Sequence, residues 1–272
     1  MRNKKNRLIL TSVIFGILIF IVVFASLIFP HSNDIAMTKG LEVPGINHLF
    51  GTDNLGRDLL ERTFNGLKLS LALAISVQII CLCFGAIAGS VAGYYGGIID
   101  KCYTLIQNVI MSFPNIIASL CLIAILGTGI QTLVIALAAV GWVTYARLIR
   151  SEVIALKEAD YIQACRSIGA SNFYILFRYL LPNVVIPIIP IFTLMIGHTV
   201  LAISGLGFLG FGVQPPDAEI GLMIKDGITY FTKAPWMIIC PAAVLTVYSL
   251  IINVFGDELR EWVDPQKENT VV

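Results

Sequence analysis

Residues 69–93 read LSLALAISVQIICLCFGAIAGSVAG, with no charged side chain anywhere in the run. A helix rises about 1.5 Å per residue, so about 20 apolar residues cross a hydrocarbon core of about 30 Å. Lipid offers backbone amides no partner, which obliges such a run to close its hydrogen bonds internally as a helix. Further runs of comparable length lie at 8–29, 103–126, 130–149, 183–206 and 236–256. The chain of 272 residues is 57% apolar and 13% charged, against roughly half and a quarter in soluble domains. These features predict an all-α integral membrane protein with about six transmembrane helices.

Within the quoted run, Gly85, Gly89 and Gly93 recur at spacing four. A stripe of small residues on one helix face lets a neighbouring helix approach closely. The six cysteines sit in or near apolar runs and read as small hydrophobes rather than a disulfide framework. Cys81 and Cys83 are two residues apart, so on a helix they diverge and cannot share an ion. The basic stretch Arg2 to Arg7 precedes a run longer than a signal-peptide core, with no small-residue cleavage site after it, and is read as leading into an uncleaved first helix.

With six spans and the N-terminus inside, twelve of the 18 Lys and Arg residues fall in inner segments. Excess positive charge marks the cytoplasmic side, which predicts that both termini are cytoplasmic. The polar stretches 30–67 and 207–235 are then external, and 150–182 is the longest inner loop. Residues 1–68 form a first unit, a helix with an external segment. Residues 69–265 form the transmembrane core.

The sequence offers little to an enzyme reading. No G-x-x-x-x-G-K-[ST] phosphate loop occurs, and the dipeptide Gly-Lys is absent. No Ser-His-Asp or H-E-x-x-H arrangement appears, and the three histidines stand apart at His31, His48 and His198. A secondary transporter would show paired intramembrane carboxylates and internal repeats. The chain shows no carboxylate pair within its apolar runs and no strong repeat.

The inner loop carries more information. From Glu158 to Ser171 it reads EADYIQACRSIGAS, followed by NFYILFRYLLP to Pro182. Ile162, Cys165 and Ile168 recur at helical spacing, Gly169 suits a helix C-terminus, and Ser171 suits the cap of a second helix. Pro182 then precedes the fifth span. The expectation is a short amphipathic helix, a turn and a second helix below the membrane, either lying on the surface or docking a partner.

This loop resembles the coupling motif of binding-protein-dependent ABC permeases, E-A-A-x3-G-x9-I-x-L-P. Gln163, Ala164, Cys165, Gly169, Tyr179, Leu181 and Pro182 occupy its positions, with Gln163, Cys165 and Tyr179 departing from it. A second stretch, Gly51-Thr52-Asp53-Asn54-Leu55-Gly56-Arg57-Asp58, matches the G-T-D-x-x-G-R-D signature of the peptide and nickel permeases. A third, Gly207 to Pro216, is similar to their S-F-L-G-L-G-V-x-x-P segment. The resemblance spans residues 8–265. It implies that 158–172, including Ala170 and Ser171, couples the chain to ATPases. In the external motif, Asp53, Arg57 and Asp58 can pair with one another.

His198 is the one ionisable residue deep in an apolar run, where charge is costly and such groups face a cavity or a partner. A neutral imidazole bonded to a backbone carbonyl would serve as well. The stretch Ile196 to Leu201 resembles the nickel-type subunit, the short external segment at about 30–48 points the same way, and imidazole suits nickel. The resemblance therefore implies a permease for nickel, carried as a chelate, with dipeptide or oligopeptide import as the alternative. His198 is the candidate pathway residue, and no metal site is assigned. The implied partners are a homologous permease subunit forming a heterodimer, two cytoplasmic ABC ATPases that hold ATP and Mg, an extracytoplasmic binding protein and the lipid bilayer of a prokaryotic cell membrane. No cofactor on this chain and no nucleic acid is implied.

Overall fold

The computed structural model describes residues 2–24, 27, 29, 35 and 37–263. His31, Lys267 and part of the segment joining the first run to the external motif lie outside them. Nine helices organise the described chain: α1 Arg2–Val23, α2 Leu59–Tyr95, α3 Gly97–Met111, α4 Asn115–Leu126, α5 Ile130–Leu156, α6 Asp160–Ser167, α7 Asn172–Phe208, α8 Ile220–Ile228 and α9 Trp236–Val263.

Among the described residues, four helices, α2, α5, α7 and α9, are long and apolar enough to cross a membrane. Two expectations from the sequence are corrected. The run 103–126 is not one helix. Instead α3 and α4 meet at an angle of 86° and count as a fifth span only if the bent pair is taken together. Pro114 explains the break, since the residue before a proline is pushed out of the helical region. Of the 8–29 run, the described helix covers residues up to Val23, and the rest of that run lies largely outside the described residues.

The second correction concerns Pro182. It does not precede the fifth span but lies inside α7, which starts at Asn172. Pro182, Pro187 and Pro190 each lack a backbone N–H and crowd the preceding turn. The helix absorbs them with a widened π stretch at Ile175–Leu180 and a tightened 3₁₀ turn at Ile186–Ile188. It therefore continues where the sequence suggested a stop.

The most extensive packing joins α2 to α5. A Cβ on Gly85 would lie 2.6 Å from the Tyr145 Cβ, and one on Gly93 would lie 2.9 Å from the Arg150 carbonyl oxygen. Between them, Gly89 faces the Ala146 carbonyl at still closer range. The glycine stripe is thus the surface on which α5 lies. Cys81 is buried against α5, while Cys83 is exposed on the other side of the helix.

Helix α2 has 37 residues and no proline, so it extends about 55 Å. Its first residue follows the Gly51–Asp58 motif. Near its last, Tyr94 donates to Asn172 Oδ1 at 2.8 Å. The motif and the 158–172 loop therefore lie at opposite ends of one continuous helix.

Candidate functional site

Three places along this bundle hold the polar chemistry. At the loop end, Ile162 is completely buried in the core cluster that also holds Tyr145 and Leu180. Cys165 packs at the edge of that cluster, whereas Ile168 is 84% exposed and Phe173 is 68% exposed. The apolar face read from spacing three is divided: its first residue anchors α6, and its last points away. Gly169 has φ +82°. Its N–H donates to the Arg166 carbonyl at 2.9 Å, and the Ala170 N–H donates to the Cys165 carbonyl at 3.0 Å. This paired closure needs a left-handed residue after the helix, and glycine supplies it without a Cβ penalty.

Ser171 accepts the Tyr174 N–H at 3.2 Å and so caps α7. Gln163 Nε2 donates to Glu158 Oε2 at 3.1 Å, while Ala164 is exposed. The Arg166 guanidinium lies 5.5 Å over the Tyr94 ring. Lys157 Nζ donates to the Gly93 carbonyl at 3.3 Å, and Arg150 clasps Asp100 with two bonds of 2.5 and 2.7 Å. Tyr179 stands edge-on to Tyr174 at 5.7 Å, and Leu181 and Pro182 follow within α7.

At the motif end, Asp53 is the hub. Its Oδ1 accepts the Leu55 and Arg57 N–H groups at 2.8 and 3.0 Å, and its Oδ2 accepts Arg57 Nε at 2.6 Å. Arg62 Nε stands 3.7 Å from the same oxygen. Asp58 does not join this pair. It caps α2 by accepting the Glu61 N–H at 3.0 Å and meets His48 Nδ1 at 2.7 Å. Thr52 donates to the Lys39 carbonyl at 2.6 Å and accepts the Glu42 N–H at 2.9 Å.

Gly51 has no room for a side chain, because a Cβ there would lie 2.5 Å from the Glu42 carbonyl oxygen and 2.8 Å from Trp236 Nε1. Gly56 closes the tight turn with its N–H on the Asp53 carbonyl at 3.1 Å. Asp226 of α8 adds a second carboxylate facing Arg57 and Arg62.

Beside this cluster, Glu219 is completely buried. Its carboxylate accepts the Gly221 and Leu222 N–H groups and the Ser204 hydroxyl, each at 2.9 Å. Burial holds its carboxyl above the ordinary carboxylate value, against the pull of those three donors. Glu219 thereby ties α8 to the end of α7. Gly207, within the third matched stretch, lies directly against that carboxylate.

Midway between the ends, a cavity of about 230 Å³ opens among α2, α4, α5 and α7. His198 lines it, with Gln78, Asn115, Ser119, Thr144, Tyr145 and Thr199. Tyr145 donates to Gln78 Oε1 at 2.6 Å, and Gln78 Nε2 donates to Thr199 Oγ1 at 2.5 Å. These three side chains are buried and bind three helices together. His198 is exposed. The structure does not bring it to the loop or to the external motif.

Sequence reasoning missed several of these groups. Gln78 carried a signal, being an amide within an apolar run. Glu219, His48, Arg62 and Asp226 carried none, since only the fold brings them beside their partners.

The family model described as binding-protein-dependent transport system inner membrane component matches residues 82–269. The chain is 37% identical over 268 residues to the dipeptide transport system permease protein DppC of Alkalihalophilus pseudofirmus, covering 98% of this chain and 88% of that protein. It is 35% identical to the glutathione transport system permease protein GsiD of Escherichia coli O6:K15:H31, covering 97% and 88%. Its fold is similar to a chain of the MetNI methionine ABC transporter, with a TM-score of 0.58, 22% identity and coverage of 76% and 96%. The chain belongs to the family of binding-protein-dependent transport system inner membrane components: it is a multi-pass membrane permease subunit of an ABC importer, a transport component and not itself an enzyme.

Proposed function

We propose that this chain is the permease subunit of a peptide importer. One observation carries the substrate: near-full-length relatives at 35–37% identity are named for dipeptide and glutathione transport. The nickel reading rested on the stretch around His198 and on the short external segment at about 30–48, and it gives way to the peptide alternative. The chain forms the translocation pathway with a homologous permease subunit in the plasma or inner membrane of a prokaryotic cell. Both termini and the 158–172 loop are cytoplasmic, and the Gly51–Asp58 motif is external.

Two ABC ATPases hold ATP and Mg, and the chain binds no cofactor. Gln163, Ala164, Cys165, Gly169, Ala170 and Ser171 dock and couple to those ATPases, with Pro182 in the helix that receives the movement. Exposed Ile168 and Phe173 beside a tightly closed turn support that role. At the other end, Gly51, Thr52, Asp53, Gly56, Arg57 and Asp58 build an ordered platform toward the binding protein. His198 belongs to the pathway.

The test is uptake by the reconstituted assembly, comparing labelled di- and oligopeptides with labelled nickel. Saturable, ATP-dependent uptake of peptide without uptake of nickel is the expected result. Uptake of nickel alone would return the assignment to the metal.

A further inference from the structure

The mid-span cavity has a feature that the permease assignment does not require. Among the described residues, the side chains of Asn115, Thr144 and His198 make no hydrogen bond or ion pair, although they come from three different helices, α4, α5 and α7. All three line the same cavity. A polar side chain within a membrane span is costly unless it meets water, protein or ligand. Three unpaired groups converging on one wall therefore mark a surface meant to be wet.

The chemistry of that wall is restricted. Its polar members are amides, hydroxyls and one imidazole, and no Asp, Glu, Lys or Arg lines it. Asn115 offers two donors and an acceptor, Thr144 one donor and an acceptor, and His198 a donor and an acceptor when neutral. This inventory complements a peptide group, which presents one N–H and one C=O. It provides no charge to select or repel an ionised side chain.

The wall also stands on a rigid base. Buried Gln78, Tyr145 and Thr199 line the same cavity and are bonded to one another in a chain that joins α2, α5 and α7. Hydrogen-bonded neighbours of this kind hold the helices that carry a binding surface in place.

We infer that Asn115, Thr144 and His198 form a neutral hydrogen-bonding subsite for the backbone amides of a peptide in transit, with Gln78, Tyr145 and Thr199 as positioning residues. This rests on the peptide reading above and adds the binding surface and the group recognised. A subsite made of neutral hydrogen bonds accepts many side chains, because every peptide carries the same backbone. It also releases its cargo readily, as a pathway must.

The experiment uses the whole reconstituted importer with its binding protein. In a background whose cysteines other than buried Cys81 are replaced by Ser, Asn115→Cys and Thr144→Cys are treated with a charged, water-soluble thiol reagent. Both should react, and saturating dipeptide with its binding protein and ATP should slow the reaction. Failure to react, or reaction indifferent to peptide, overturns the inference.

The second arm compares uptake of a dipeptide with that of its ester analogue, which lacks the amide N–H. The Asn115→Leu, Thr144→Val, His198→Leu triple variant, checked for intact assembly by co-purification with its partner subunits, should lose the wild-type preference for the amide. The preference should fall by about threefold to tenfold, the scale of one hydrogen bond. An unchanged preference overturns the subsite while leaving peptide import standing. A wild-type assembly that carries no peptide overturns both, so the two failures are told apart.

Discussion

Replacing Gly169 isolates the turn that ends α6. At φ +82°, a residue with a side chain pays the left-handed penalty of about 1–2 kcal/mol. A Cβ there would meet nothing within 4 Å, so no steric clash adds to that cost. Gly169→Val therefore shifts the local equilibrium by about tenfold and opens the bonds from Gly169 to Arg166 and from Ala170 to Cys165. Gly169→Asn should cost less, because asparagine tolerates the left-handed region. Buried Ile162 still anchors the start of α6 in both variants, so insertion and yield should persist. The assay is peptide uptake per ATP hydrolysed by the reconstituted importer. The ratio should fall strongly for Val and mildly for Asn. Equal, wild-type ratios in both variants would refute the claim that this turn must hold its shape for coupling.

Glu219→Ala strips the acceptor from two backbone N–H groups and one hydroxyl, each worth about 1–3 kcal/mol when left unsatisfied. The midpoint of thermal aggregation in detergent should drop on the order of 10 °C. Glu219→Gln keeps one carbonyl oxygen and should fall between. Because burial raises the Glu219 carboxyl, its folded form binds a proton more readily than the unfolded chain. Wild type should therefore gain stability over Glu219→Gln as pH falls from neutral toward 4.5, and lose it as pH rises through the raised value. Gly89→Val forces a side chain against the Ala146 carbonyl and should abolish recovery of folded protein, read by size-exclusion profile after extraction, whereas Gly16→Val, with open space around it, should be silent. Reporter fusions after Ile162 and Asp217 should read cytoplasmic and external respectively, and the reverse would invert the proposed topology.

The membrane class was legible because composition alone decides it: 25 uncharged residues in a row leave a helix as the only way to satisfy the backbone. The glycine stripe was legible for a related reason, since spacing four fixes a face whatever packs there. Span ends were not. Hydropathy is blind to the polar turns that continue a helix beyond lipid, so α2 begins at Leu59 rather than 69 and α5 runs to Leu156 rather than 149. Prolines misled in both directions. Pro114 breaks its run, while Pro182 is absorbed by a π stretch, and the difference lies in surrounding packing that sequence does not print. The Asp53–Arg57 pair is local, four residues apart, and could be read directly. His48 against Asp58 and Asn115 beside His198 join distant segments, so only the fold reveals them.

The arrangement of rigid and compliant helices bears on how a signal from the loop would reach the middle of the membrane. Helices α2 and α5 contain no proline and share the most extensive helix packing among the described residues, which favours their moving together. Lys157 and Tyr94 fasten the ends of this pair to each other and to the loop. Helix α7 differs. Its first half carries Pro182 and Pro187 with a π stretch and a 3₁₀ turn, interruptions of the kind that mark hinges within helices. Capped by Ser171, it begins at Asn172 at the end of the loop and later carries His198 and Thr199 past the cavity. A displacement of α6 would therefore be resisted by the α2–α5 pair and taken up in the first half of α7. The Gln78–Thr199 bond sits where the compliant helix meets the rigid pair, on the wall of the cavity itself. Under the coupling proposed above, that placement would let movement at the loop change the shape of the cavity without unpacking the core.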